Sequence, residues 1–208
     1  MSQFIESIKI EDQKPFLLNL HQKRVNETFA YFGKEGTVNL EAVVKALDPD
    51  ENGLFKLRVV YSLDHTFSTR LIPYAISSIE SFELVEHNFL DYAFKSEDRK
   101  IFDQMKARAK SPEIIIVKNN HITDTSFSNL LFKKGKTWYT PCTCLLNGVQ
   151  RQHLLKTKKI KEADITLQNI REYSHFQLIN ALNDFDDMFI YPLSRIRNLP
   201  GNDDDFLL

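Results

Sequence analysis

Two kinds of hydrophobic spacing predict an α+β protein. Segments that alternate apolar and polar residues, such as Phe4–Ile10, or that run through β-branched residues, such as Ile114–Val117, read as strands. Between them lie stretches with apolar side chains at helical spacing, among them Ile101, Phe102, Met105 and Ala109. Size is the third observation: 208 residues with 42% hydrophobic content can bury one large core or two small ones.

Phe4–Ile10 is the first strand, and Glu11–Gln13 a polar turn into Lys14–Leu18, read as a second strand. Asn19 is placed as the N-cap of a helix carrying Leu20, His21, Arg24 and Thr28. His21 and Arg24, three apart, share one face of that helix; a charged cluster of this kind usually lies on a solvated surface. Val38–Leu47 reads as an amphipathic helix and Asp48–Gly53 as a turn. Leu54–Tyr61 is a strand with Lys56 and Arg58 on one face. Arg70–Ile76 is another, and Pro73 suggests a sheet edge. A helix is expected over Arg99–Lys110.

Ile114–Val117 then opens a run of hairpins. Asn119-Asn120 tolerate a left-handed turn, His121–Thr123 is a short strand, and Leu130–Phe132 an apolar one that Lys134-Gly135 turns into Thr137–Pro141. Asp124 lies between these strands, amid Thr123, Thr125, Ser126, Ser128 and Asn129. On residue chemistry alone it is an Asx or Ser/Thr turn capping a hairpin. Arg151–Lys156 reads as a helix, Phe176–Leu182 as a strand, and Met188–Ile196 as the closing strand.

Net charge is −1, with 27 basic and 28 acidic residues mixed along the chain, so there is no electrostatic case for nucleic acid or an anionic membrane as main partner. No apolar run approaches the roughly 20 residues of a membrane span. Met1–Glu6 lacks a basic stretch followed by an apolar one, so no secretory signal is read there. Cys142 and Cys144 are too close for an ordinary structural disulfide; they point to reduced thiols and the cytoplasm. A metal site would need further ligands, and none is read.

The order strand, turn, Ile122-Thr123-Asp124, small residues, Asn129, apolar strand, turn and Thr140-Pro141 resembles the centre of the class IV aminotransferases. These are pyridoxal-phosphate enzymes of fold type IV, including branched-chain and D-amino-acid transaminases and 4-amino-4-deoxychorismate lyase. The resemblance runs from Phe4 to Ile196 and implies the two-domain D-amino-acid-transaminase-like architecture: a small α+β domain over residues 1–84, and a larger domain over 85–208. It implies pyridoxal 5'-phosphate as cofactor. Lys95, 29 positions before Asp124 and followed by Arg99, is similar to the family's Lys-x-x-x-Arg element, which makes it the Schiff-base lysine. An enclosed amine near other cations loses its proton readily and can attack an aldehyde. Asp124 would bind the pyridinium nitrogen. Phe4–Ile8 followed by His21-x-x-Arg24 is similar to the family's phosphate-binding element, which assigns Arg24 to the cofactor phosphate. Leu146–Arg151 is similar to the loop that offers backbone N–H groups to the same phosphate, so Gly148, Val149 and Gln150 join it. Asn180-Ala181-Leu182, resembling the lyase branch, completes the phosphate site, with Asn129 and Arg99 placed in the cofactor set. Arg58 is the candidate for a substrate carboxylate. The second helix that the family has after a strand would fall at Ile165–Tyr173.

Three departures accompany the resemblance. Most members carry Glu where this chain has Asp124, one methylene shorter, and Thr where it has Gln150. A β-hairpin that usually precedes the first strand, contributing an aromatic wall to the site, has no counterpart ahead of Phe4. The activity implied is a lyase giving p-aminobenzoate and pyruvate from aminodeoxychorismate. The alternatives are an amino-acid transaminase or a cofactor-binding homologue without turnover. A homodimer is implied as well.

Overall fold

The computed structural model describes residues 3–47, 52–183, 185 and 189–200. The chain is α+β and forms two compact units that do not follow a single cut at residue 84. Unit 1 comprises Met1–Ile76, Tyr92–Arg99 and Ala181–Asp184; unit 2 comprises Ser77–Asp91, Lys100–Asn180 and Phe185–Leu208. Lys95 therefore belongs to unit 1. The cause is backbone pairing: Ile5 N–H donates to the Lys95 carbonyl and Glu97 N–H to the Gln3 carbonyl, both at 2.9 Å, and Phe4 bridges Ser96.

Unit 1 contains β1 (Gln3–Glu11), β2 (Lys14–Pro15), α1 (Leu18–Tyr31), α2 (Leu40–Leu47), β3 (Leu54–Ser62) and β4 (Phe67–Pro73). The strands form one antiparallel sheet in the order β2-β1-β3-β4, so Pro73 does lie on an edge strand. In register, Phe4, Glu6, Ile8 and Ile10 of β1 stand opposite Tyr61, Val59, Leu57 and Phe55 of β3. Their apolar members pack with Val25 and Phe29 of α1, with Val38, and with Leu40 and Val43 of α2. Burying a side chain such as Ile8 or Leu57 completely stabilises the fold by about 1.5–3 kcal/mol each. Glu6 is the one charged residue that β1 places in this apolar phase.

The second strand is shorter than its sequence suggests, and Asn19 is not the cap. Leu17 adopts a left-handed conformation (φ 53°), its carbonyl accepts from Leu20 and His21, and Asn19 lies inside the first turn of α1. At α2, Asn39 does cap, its Oδ1 accepting the Ala42 N–H at 3.0 Å. Most of the expected turn at Asp48–Gly53 falls outside the described residues.

Unit 2 contains β5 (Phe82–Glu86), α3 (Lys100–Arg108), β6 (Glu113–Lys118), β7 (His121–Thr125), β8 (Asn129–Lys134), β9 (Thr137–Pro141), α4 (Val149–Lys156), β10 (Lys161–Ala163), β11 (His175–Ile179) and β12 (Ile190–Pro192). The sheet runs β10-β9-β8-β7-β6-β5, and β11 joins at β8 and pairs with β12. Asn119 and Asn120 have φ of 49° and 70°, the paired left-handed residues of a tight hairpin, and Gly135 turns the next one at φ 60°. Phe82, Ile115, Ile122, Leu130, Phe132 and Phe176 form the centre of its core.

Ile165–Tyr173 is not a helix; only a 3-10 turn forms, at Ile170–Glu172. Its backbone is claimed instead by the β6–β7 hairpin. Ile122 N–H donates to the Ile165 carbonyl and Leu167 N–H to the Asn120 carbonyl. The closing strand is likewise cut to Ile190–Pro192 before a 3-10 turn at Leu193–Arg195; Met188 lies outside the described residues. Among the described residues no helix is long and apolar enough to cross a membrane.

Candidate active site

Unit 1 gathers Arg24 and His21 around a carboxylate that sequence reasoning passed over, and the Lys95 charge acts on His21. His21 and Arg24 are not on a solvated face: both turn inward onto Glu6. Arg24 Nε donates to Glu6 Oε1 at 2.8 Å and Nη2 to Oε2 at 2.5 Å; His21 Nδ1 lies 2.6 Å from the same Oε2. Glu6 and His21 side chains are fully buried and Arg24 is 12% exposed. Burial alone would raise the Glu6 pKa, but the Arg24 guanidinium and hydrogen bonds from His21 and Arg24 hold it down at about 2. Burial lowers the His21 pKa; Glu6 opposes this, and the Arg24 and Lys95 charges add to it. Neutral His21 thus donates Nδ1–H to Glu6, and its buried Nε2 has no partner among the described residues. Arg24 Nη1 has no protein partner there either, and keeps two N–H donors for a ligand.

The Lys95 segment is cross-braced within unit 1. Tyr92 donates its hydroxyl to the Ser96 carbonyl at 3.0 Å, and Arg99 Nη1 donates to the Tyr92 hydroxyl at 3.1 Å. Arg99 is therefore a tether of this segment and does not begin α3, which starts at Lys100. Arg58 lies on the sheet face away from the helices, directly opposite Arg70 of β4, and pairs with Glu97 at 2.9 Å, both side chains 34% exposed. Leu182 is buried and follows Ala181 in a turn.

Unit 2 has its own cluster of candidate residues around Asp124, and a β-bulge places it. Val117 pairs with Ile122 and Ile115 with Thr125, so β7 has two residues, Thr123 and Asp124, where β6 has only Ile116. Thr123 fixes the bulge by donating its hydroxyl to the Ile116 carbonyl at 2.7 Å. Asp124 then faces the loop before α4: Oδ2 accepts the N–H groups of Leu145 and Leu146, both at 3.0 Å, and Oδ1 accepts Asn129 Nδ2 at 2.8 Å. A carboxylate offers about four acceptor directions. Three are used, which leaves one on Oδ1. Burial raises the Asp124 pKa to about 6, against the pull of the Leu146 amide, Asn129, Arg151 and the Leu145 amide.

Asn129 acts here through its neighbours. The same Nδ2 also donates to the Leu146 carbonyl at 2.8 Å, tying acid and loop together. Gly148 is needed for that contact: a Cβ there would stand 2.2 Å from Asn129 Oδ1. Gly148 is extended (φ −63°), and α4 starts after it with no side-chain cap, so the first N–H groups of the helix, Val149 and Gln150 among them, have no intrahelical acceptor. Arg151 braces the loop from behind, donating to Asn147 Oδ1, the Pro141 carbonyl and Glu162 Oε1. Asn180 donates to Ser128 Oγ at 3.0 Å. Cys142 and Cys144 are free thiols in the same loop. Burial and the neighbouring Asp124 push Cys144 up to about 11, so it stays protonated.

One signal for the missed residues was present in the chain. Glu6 occupies the apolar phase of an alternating strand, where a carboxylate demands a partner. The Leu145 and Leu146 amides carried no such signal, because a loop's backbone direction is not written in apolar side chains.

Known proteins resemble this chain over most of its length. The family described as Amino-transferase class IV matches residues 3–185. An uncharacterized protein of Haemophilus influenzae is 34% identical over 187 residues, covering 88% of this chain and 99% of that one. The crystal structure of a candidate 4-amino-4-deoxychorismate lyase from Haemophilus somnus 129PT superposes with a TM-score of 0.80 at 28% identity, over 89% of this chain and 98% of that one. The branched-chain amino acid aminotransferase of Escherichia coli shares the fold at a TM-score of 0.70 and 14% identity, over 95% of this chain and 77% of its own. The chain belongs to the class IV aminotransferase family, whose members are pyridoxal-phosphate enzymes.

Proposed function

We propose that this chain binds pyridoxal 5'-phosphate through Lys95 and acts as an aminodeoxychorismate lyase, releasing pyruvate and leaving p-aminobenzoate. The donor set fits the cofactor. In unit 1, Arg24 Nη1 is a donor suited to a phosphate, and in unit 2 so are the uncapped N–H groups of Val149 and Gln150. The free acceptor direction on Asp124 Oδ1 suits a ring N–H. When bound, the cofactor supplies an aldehyde for the substrate amine and a ring that takes up an electron pair. Lys95 would hold the aldehyde, and once the substrate amine has displaced it would be the base that takes the proton from the carbon bearing that amine. Asp124 would keep the ring nitrogen protonated, and Asn129 holds Asp124 in place. Loss of the neighbouring enolpyruvyl oxygen would follow, driven by aromatisation: the C–O electron pair leaves with enolpyruvate, which takes up a proton to become pyruvate, and Lys95 would reclaim the aldehyde to free p-aminobenzoate.

What favours elimination over transamination is Asn180-Ala181-Leu182, which resembles the lyase branch. Arg58, paired with Glu97, is a candidate carboxylate donor for either reaction. Similarity to the Haemophilus somnus protein supports the same choice. Aminodeoxychorismate should yield p-aminobenzoate and pyruvate. Conversion of the cofactor to its pyridoxamine form by L- or D-amino acids, without p-aminobenzoate, would establish a transaminase instead. Failure of both assays with cofactor bound would leave a homologue without turnover.

We also propose a homodimer. Tyr31 is 71% and Phe32 41% exposed, and their rings cluster with Phe94 at 4.6–5.3 Å, an apolar surface that a second copy would cover. Sedimentation should give a dimer or larger; a clean monomer at working concentration counts against it.

A further inference from the structure

The buried carboxylate of β1 has no role in the chemistry above, yet it is bonded by both His21 and Arg24. We propose that Glu6 and His21 are positioning residues for the phosphate contact: Glu6 clamps Arg24 so that Nη1 alone is presented, and His21 locks Glu6 in that orientation. The inference rests on the reading of Arg24 as the phosphate ligand.

Three observations carry it. Glu6 engages Nε and Nη2, the bidentate edge of the guanidinium, with both of its oxygens. That leaves Nη1 without a partner among the described residues, on a side chain 12% exposed. An ion pair serving stability alone has little reason to lie here, since a well-packed apolar trio in its place is often as stable or more so. The second observation is the anchoring of Glu6 itself: it sits mid-strand, paired with Val59 in a nine-residue ladder, so its carboxylate cannot follow Arg24 if the arginine swings. The third is His21. It lies one turn before Arg24 on α1, and its Nδ1 bonds the same Oε2 that takes Arg24 Nη2. Without it, the carboxylate could rotate and release one of its two contacts to Arg24. A long arginine held at two nitrogens loses little further freedom when an anion binds the third, which is how preorganisation adds affinity.

The test compares pyridoxal phosphate with pyridoxal, which lacks the phosphate, by absorbance titration of the apoprotein. Arg24→Ala should weaken binding of pyridoxal phosphate and leave pyridoxal unchanged. Glu6→Gln keeps the shape but loses the charge; it should give the same phosphate-selective loss, about 10- to 100-fold, the size expected for disturbing charge-assisted hydrogen bonds. His21→Phe keeps Glu6 and should give a smaller loss with the same selectivity, and it serves if Glu6→Gln fails to fold. If Arg24→Ala shows no selectivity, the phosphate reading of Arg24 falls and the clamp with it. If Arg24→Ala is selective but both neighbours' variants bind the two ligands as the parent does, or weaken both equally, the clamp alone is overturned. A lowered melting temperature with the parent's affinities for both pyridoxal phosphate and pyridoxal likewise marks a purely structural ion pair.

Discussion

Lys95→Ala will leave unit 1 folded and remove the covalent hold on pyridoxal phosphate. In the parent protein, borohydride should trap a pyridoxyl group, and peptide mapping should place it on Lys95; in the variant, none should be trapped. The fold is spared because the Lys95 segment is held through its backbone. The Lys95 carbonyl accepts from Ile5, Glu97 N–H donates to Gln3, and the Tyr92–Ser96 and Arg99–Tyr92 bonds do not involve the lysine side chain. Lys95 is only partly buried, so truncation should change stability by no more than about 1 kcal/mol. Turnover should nonetheless fall by at least about 10²–10⁴-fold, the usual contribution of a positioned proton carrier. An adduct mapped to another lysine, or turnover within a few-fold of the parent, would remove Lys95 from its proposed role.

The same segment shows where the sequence could and could not be read. Residue chemistry fixed those elements whose causes are local. Asn119-Asn120 form a left-handed hairpin because few other residues tolerate it, and Pro73 lies on an edge because it lacks a donor. The family likeness pointed to Lys95 and Asp124, but not to what holds them. The start of α1 was misplaced because its cap is Leu17, which sends no side-chain signal. Ile165–Tyr173, a helix by resemblance alone, forms only a 3-10 turn because its backbone bonds to a distant hairpin. The grouping of Tyr92–Arg99 with β1 is a tertiary pairing across some 90 residues of sequence, and no local pattern announces it. The bulge that aims Asp124 is of the same kind, since a bulge exists only relative to the strand it opposes.

Asp124→Asn is the second large effect expected, and it has two separable readouts. Turnover should drop by about 10²–10³-fold, the range for removing one preorganised electrostatic partner of the reacting system, while the Lys95 adduct still forms. The apoprotein should also change its response to pH. Folding raises the Asp124 pKa from an ordinary value near 3.8 to about 6, so the folded state holds the proton more tightly than the unfolded chain. Stability from this group is complete below about pH 4, declines as pH rises to about 6, and stays reduced above it, by on the order of 3 kcal/mol. Asparagine cannot ionise, so the variant should lack this decline. Its absolute stability at pH 7 is less informative. Relief of the buried charge is offset because an amide cannot accept from Asn129 and from the Leu145 and Leu146 amides at once. The comparison to make is therefore the change in melting temperature between pH 4 and pH 7, parent against variant, without cofactor. Glu6 acts with the opposite sign, its depressed pKa adding stability as pH rises, but it is common to both proteins and cancels in the difference. Parallel pH responses together with unchanged turnover would reduce Asp124 to the hairpin cap that its neighbours Thr123, Thr125 and Ser126 first suggest.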